Sequence, residues 1–173
     1  MAPSTAETQQ WGPTLDGLRM SLCIPDTGSP EDPELDVTLQ NIGTNDLALD
    51  LGIMLANGKY QLPNNFGLNI TDGTGKVLKL SFFDRRFGAI SGRIDDYAIP
   101  LRAGSTYLLK MQLDQFYSGA AGIWGMKLGP EKYEITAEFE GTDARAVNSD
   151  DAGLRLMNFW TGKLKSNTVH VGN

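Results

Sequence analysis

The chain of 173 residues has one cysteine, Cys23, and one histidine, His170. A lone cysteine rules out an intramolecular disulfide and any metal site built from several thiolates. A lone histidine leaves little for Ser-His-Asp catalysis or multi-histidine metal binding, which both need a positioned imidazole. Basic residues are also few: 15 Lys and Arg stand against 21 Asp and Glu, a net charge of −6. A chain this acidic has no general attraction to polyphosphate, which argues against a nucleic-acid partner. The same charge argues against anionic membrane surfaces. No apolar run is long enough to cross a bilayer, so membrane insertion is not expected. Helical periodicity is scarce too. Only "SDDAGLRLMNFW" offers a turn or two, with Ser149 or Asp150 as cap and Leu154, Met157 and Phe159 facing inward.

What the chain does have is apolar/polar alternation. Hydrophobic residues make up 40% and charged residues 21%, a globular balance sufficient for one domain with a sizeable core. Leu18, Met20, Leu22 and Ile24 recur at period two, as do Leu35, Val37 and Leu39. After the "NIGTND" turn the alternation resumes at Leu47, Leu49, Leu51, Ile53 and Leu55. "Asn57-Gly58" suits a type I′ hairpin turn, and "TDGTG" between "FGLNI" and "KVLKL" suits another. Tyr107, Leu109, Met111 and Leu113 form one face, and Tyr133, Ile135, Ala137 and Phe139 another. Leu164, Val169 and Val171 mark a last strand. The expectation is all-β: a single antiparallel immunoglobulin-like β-sandwich of about eight or nine strands with elaborated loops. Residues 1–12, rich in Ala, Pro, Ser, Thr and Gln, read as a flexible leader before one domain over 13–173. That opening lacks the pattern of a signal peptide. An exported mature chain with an initiator Met is expected slightly ahead of a cytoplasmic protein.

Several stretches resemble a known family. "ELDVTLQNIGTNDLALDL" is similar to the strand–turn–strand of secreted immunoglobulin-like modules. "FGLNITDGTGKVL", "IPLRAGSTYLLKMQLDQF" and "LGPEKYEITAEFEG" resemble successive strands of the bacterial intracellular proteinase inhibitor family. Leu101, Gly104 and Asp114 match one of its patterns; Leu128, Pro130 and Tyr133 match another, with Glu131-Lys132 in place of its glycine. The ending "FWTGKLKSNTVHV" looks like the closing strand of modules in bacterial exported proteins. The likeness spans residues 33–141; segments 84–98 and 142–158 have no counterpart. It implies a small immunoglobulin-like sandwich and an inhibitory role. The shared residues belong to strands and turns, so they speak to fold rather than function.

Candidate chemistry is thin. A Cys23–His170 pair needs a cysteine of lowered pKa, and Cys23 lies in a strand pattern without a cation or helix end. Asp95-Asp96, Asp150-Asp151 and the loop acids Asp26, Glu31, Asp32 and Glu34 offer carboxylates for hydrolysis or a structural calcium, but at no recognised spacing. The plainer reading is solvated acidic loops. "DGTGK" is followed by a strand pattern rather than a helix, so a hairpin turn is preferred to a phosphate loop. "Asn69-Ile70-Thr71" forms a glycosylation sequon, relevant only in a eukaryotic secretory setting. No cofactor or metal is implied.

Two connections gather contact-prone residues. One carries Arg85, Arg86, Phe87, Arg93 and Tyr97, the other Tyr117 and Trp124. Arg, Tyr and Trp combine large contact area with a polar handle and dominate interface energetics. The alternative is that Phe87 and Trp124 plug the sandwich ends while the arginines pair with nearby acids. The expectation is a non-catalytic binding module, not an enzyme. It would contact another protein through loops 84–98 and 116–128. Two other readings stay open: a proteinase inhibitor presenting "FDRRFG", and a carbohydrate-binding module stacking sugars on Trp124 and Tyr117.

Overall fold

Alternating strands leave half of each strand's side chains to be buried, and here that burial builds two facing layers. The computed structural model describes residues 9–26, 29–84, 92–143 and 158–172. Twelve strands occur among them: β1 (Leu18–Cys23), β2 (Glu34–Asn41), β3 (Leu47–Leu55), β4 (Tyr60–Leu62), β5 (Phe66–Asp72), β6 (Val77–Phe82), β7 (Ile94–Leu101), β8 (Thr106–Gln112), β9 (Phe116–Ser118), β10 (Ile123–Trp124), β11 (Tyr133–Gly141) and β12 (Gly162–Val171). Three of these, β4, β9 and β10, are only two or three residues long. Of the other nine, all but β7 coincide with strands expected from alternation. The fold is an all-β sandwich whose antiparallel sheets do not close into a barrel.

One sheet has the order β1-β2-β8 and a second β4-β3-β7. They follow one another along a single ribbon, because β2 leads into β3 while β7 leads into β8. The ribbon turns at Asn41, which is fully buried. Its side-chain amide donates to the carbonyls of Asn45 (2.8 Å) and Leu101 (3.0 Å) and accepts from Gly43 N–H (3.0 Å). A short polar side chain thus satisfies backbone groups that the sheet leaves open at the corner.

The third sheet has six strands, β10-β9-β6-β5-β11-β12. Its inner face carries Phe66, Leu68 and Ile70 of β5 and Ile135, Ala137 and Phe139 of β11. These meet Leu18, Met20, Leu22, Leu35, Val37, Leu39, Leu49 and Leu51 in one continuous core. Phe139 is sandwiched between Phe66 (centroids 4.8 Å apart) and Trp160 (5.7 Å). Trp160, 3% exposed, fills the place expected of Phe159, which is only half-buried. Leu154 and Met157 lie outside the described residues.

The two layers are joined at the β1–β12 edge. The β11–β12 register slips between Thr136/Thr168 and Glu138/Lys165. The extra residue lets Leu164 and Val169, of opposite parity, both turn inward. It also frees Asn167, whose amide grips β1: Leu22 N–H donates to Oδ1 (2.8 Å) and Nδ2 donates to Leu22 O (3.0 Å). Residues 9–15 run back along β1, with Gly12 N–H bonded to Met20 O at 2.9 Å and Trp11 lying under the Arg19 guanidinium. A Cβ on Gly12 would stand 2.1 Å from Lys165 O, so only glycine lets this arm pass between β1 and β12. The expected leader over 1–12 is corrected here: residues 9–12 are packed against the sandwich edge.

The expected hairpins are present. Asn57 and Gly58 take φ of +57° and +81° between β3 and β4. Asp72 accepts from Thr74 N–H (2.9 Å), Thr74 Oγ1 (2.6 Å) and Lys76 N–H (3.0 Å) between β5 and β6. Two expected loops are partly strand. Residues 94–98 belong to β7, and residues 116–124 form the β9–β10 hairpin after a 3-10 turn at Leu113–Gln115.

Candidate functional site

The outer face of the six-stranded sheet carries an aromatic cluster. Register places Trp124 opposite Tyr117, and Tyr117 opposite Ser81. Cross-strand neighbours sit within ring-contact distance. Tyr117 and Trp124 stack with centroids 4.8 Å apart and planes 22° apart. Phe83 meets both edge-on, at 5.3 Å from each centroid. Phe83 is fixed by its own N–H, which donates to Gln115 O at 2.7 Å. Gln115 Nε2 donates in turn to Asp84 at 3.1 Å. Trp124 is 51% exposed and Phe83 37%.

A polar trough continues from this cluster across the sheet. The same row runs from Ser81 to Gly67, Glu138 and Lys165. Gly67 has no side chain to fill its place, so a depression of about 410 Å³ opens above it. Asn65, Asn69, Lys79, Glu140 and Lys163 are among its polar lining. Glu138 and Lys165 pair at 3.2 Å, and Glu140 and Lys163 at 3.4 Å. Burial works to raise the pKa of Glu138. The Asn69 side chain, Lys165 and Lys79 outweigh it and hold the carboxyl below the ordinary glutamate range. Asn69 Oδ1 is buried without a donor among the described residues. At about 4.8 Å per strand, the row from Trp124 to Lys165 spans about 24 Å. The face therefore grades from aromatic through small and neutral to charged.

Of the residues singled out from sequence, Tyr117 and Trp124 are brought together here. Phe83 joins them and was not anticipated, since a phenylalanine at a strand end reads as core. Tyr97 is corrected: it is 3% exposed on β7, and its hydroxyl meets that of Tyr107 at 2.6 Å. It belongs to the core, and burial with the Tyr107 contact pushes its pKa up. Arg93 is exposed and pairs with Asp95 at 2.6 Å. It precedes β7, whose first residue lies opposite Leu55, on a different sheet from Trp124. Arg85, Arg86 and Phe87 lie outside the described residues.

His170 is on the outer face of β12, with Nδ1 3.7 Å from Glu134 Oε1, and Cys23 is exposed at the end of β1. Asp95 turns to Arg93 whereas Asp96 is buried. Lys110 ties Glu34 (2.6 Å) to Asp36 (3.2 Å), and Asp32 accepts from Asp114 N–H at 3.0 Å. Asp150 and Asp151 lie outside the described residues. Among the described residues, no three His, Cys, Asp or Glu side chains are grouped to hold a metal ion.

No family model and no curated protein matches the chain. Among solved structures it is similar to Bacteroides uniformis β-glucuronidase 2 covalently bound to cyclophellitol-6-carboxylate aziridine, at 13% identity and a TM-score of 0.30. It is likewise similar to a second structure of Bacteroides uniformis β-glucuronidase, at 13% identity and a TM-score of 0.31. Each match covers 90% of this chain and 12% of the other.

Proposed function

We propose that the chain is a non-catalytic carbohydrate-binding module whose ligand lies on the outer face of the six-stranded sheet. One observation carries the reading: Trp124, half exposed, is held on Tyr117, whose cross-strand partner Ser81 lines a polar trough. A sugar ring has a flat C–H face and a rim of hydroxyls. An exposed aromatic ring removes the first from water, and nearby amides, hydroxyls and charged groups exchange hydrogen bonds with the second. Ser81, opposite Tyr117, supplies a hydroxyl, and Asn65 and Asn69 in the trough supply amides.

The test is a glycan array followed by titration with tryptophan fluorescence, comparing wild type with Trp124→Ala. Sugar-dependent quenching lost in the variant supports the reading, and a silent array overturns it. A protein partner is the second reading, favoured by the apolar edge that Phe83 adds beside Trp124. It predicts a silent array and a partner retained by wild type but not by Trp124→Ala. The inhibitor reading rests on Arg85 and Arg86, and Arg85→Ala or Arg86→Ala in a trypsin-inhibition assay decides it.

A further inference from the structure

We infer that the trough favours sugars bearing a carboxylate, received by the Lys79 ammonium. The inference rests on the carbohydrate reading above and adds a ligand class to it. Its warrant is local charge. The chain as a whole carries −6, yet the trough is lined by three lysines and two glutamates. Two lysines are committed: Lys165 to Glu138 and Lys163 to Glu140, each with its register partner on the adjacent strand. Lys79 stands on β6 opposite Asn69, exposed, and forms no ion pair among the described residues. Its charge reaches Glu138 only through the longer-range field that helps lower that carboxyl's pKa.

The placement also suits the ligand's geometry. Lys79 is two residues along β6 from Ser81, the residue opposite Tyr117. Residues two apart on a strand share a face. A sugar stacked at the aromatic end can therefore extend a carboxylate along β6 toward Lys79 while its hydroxyls face Ser81 and Asn69. An exposed ion pair of this kind is modest, so the expected preference is about fivefold and should weaken with added salt.

The experiment titrates the full chain with oligogalacturonate and glucuronate-containing oligosaccharides, and with their carboxyl-reduced neutral counterparts. Wild type, Lys79→Gln and Trp124→Ala are compared, with urea midpoints confirming that each folds. The expected result is tighter binding of the acidic member in wild type, a preference abolished in Lys79→Gln, and loss of both ligands in Trp124→Ala. Equal or tighter binding of the neutral members overturns the inference and leaves the carbohydrate reading standing. An acidic preference unchanged in Lys79→Gln overturns the role of Lys79. Absence of acidic binding with hits among neutral sugars on the array overturns the inference alone; an array silent throughout overturns both.

Discussion

Trp124 and Tyr117 lie on opposite strands of a short edge hairpin with their rings stacked, centroids 4.8 Å apart. The stack is half open to water, since Trp124 keeps 51% of its surface exposed. Exposing a large aromatic surface forgoes burial worth a few kcal/mol. Here the ring is held in place by Tyr117 and Phe83 without being buried by them, which is the arrangement a ligand platform requires.

Trp124→Ala should therefore separate binding from stability. Losing its two half-exposed ring contacts, with Tyr117 and Phe83, should cost about 1 kcal/mol. Urea unfolding should show a midpoint close to wild type, whereas ligand-dependent fluorescence disappears. A large loss of stability would mean that Trp124 plugs the sandwich edge and is not a platform.

Asn167→Ala tests the joint between layers. The amide satisfies both backbone groups of Leu22, in effect taking the place of a neighbouring strand's peptide. Removing it leaves a donor and an acceptor to find water at a crowded edge. A loss of about 2 kcal/mol is expected in urea unfolding, with faster hydrogen exchange at Leu22. Exchange at β5 and β6, remote from the joint, should change only with global stability.

Most strands were legible because one face of each is buried at period two. β7 was not. In "IDDYAIPL" the neighbours Asp96 and Tyr97 are both buried, so the alternation breaks and the acids suggest a loop. The β9–β10 hairpin escaped because two- and three-residue strands are too short to show a period. Tyr117 and Trp124 were legible as residue types. Their meeting with Phe83 depends on β6 pairing with β9 across more than thirty positions of sequence. The trough depends likewise on Gly67 lying between Ser81 and Glu138, a relationship of register that no local pattern contains.

Asn41→Ala should be more damaging than Asn167→Ala. Asn41 is fully buried and its side chain makes three hydrogen bonds at the ribbon's corner. Without it Gly43 N–H and the Asn45 and Leu101 carbonyls lose their partner. A loss of about 3 kcal/mol is expected by urea unfolding. Asn41→Asp separates the two roles. It keeps an acceptor for Gly43 but places a charge against two carbonyls, so it should rescue little. Wild-type stability in either variant would show that the corner is held elsewhere.

Acidification should reach the trough through Glu138. Its folded pKa lies below its ordinary value near 4.5, held there by Asn69, Lys165 and Lys79 against the opposing effect of burial. A carboxyl with a depressed folded pKa contributes stability above its unfolded pKa and loses it as pH falls through the folded one. Glu138→Gln should therefore be less stable than wild type at neutral pH. The gap should narrow below about pH 4.5 and close once wild-type Glu138 is protonated in both states. Urea midpoints measured from pH 7 to pH 3 give the comparison. A gap independent of pH would mean that Glu138 acts through packing and hydrogen bonding, with its charge contributing nothing.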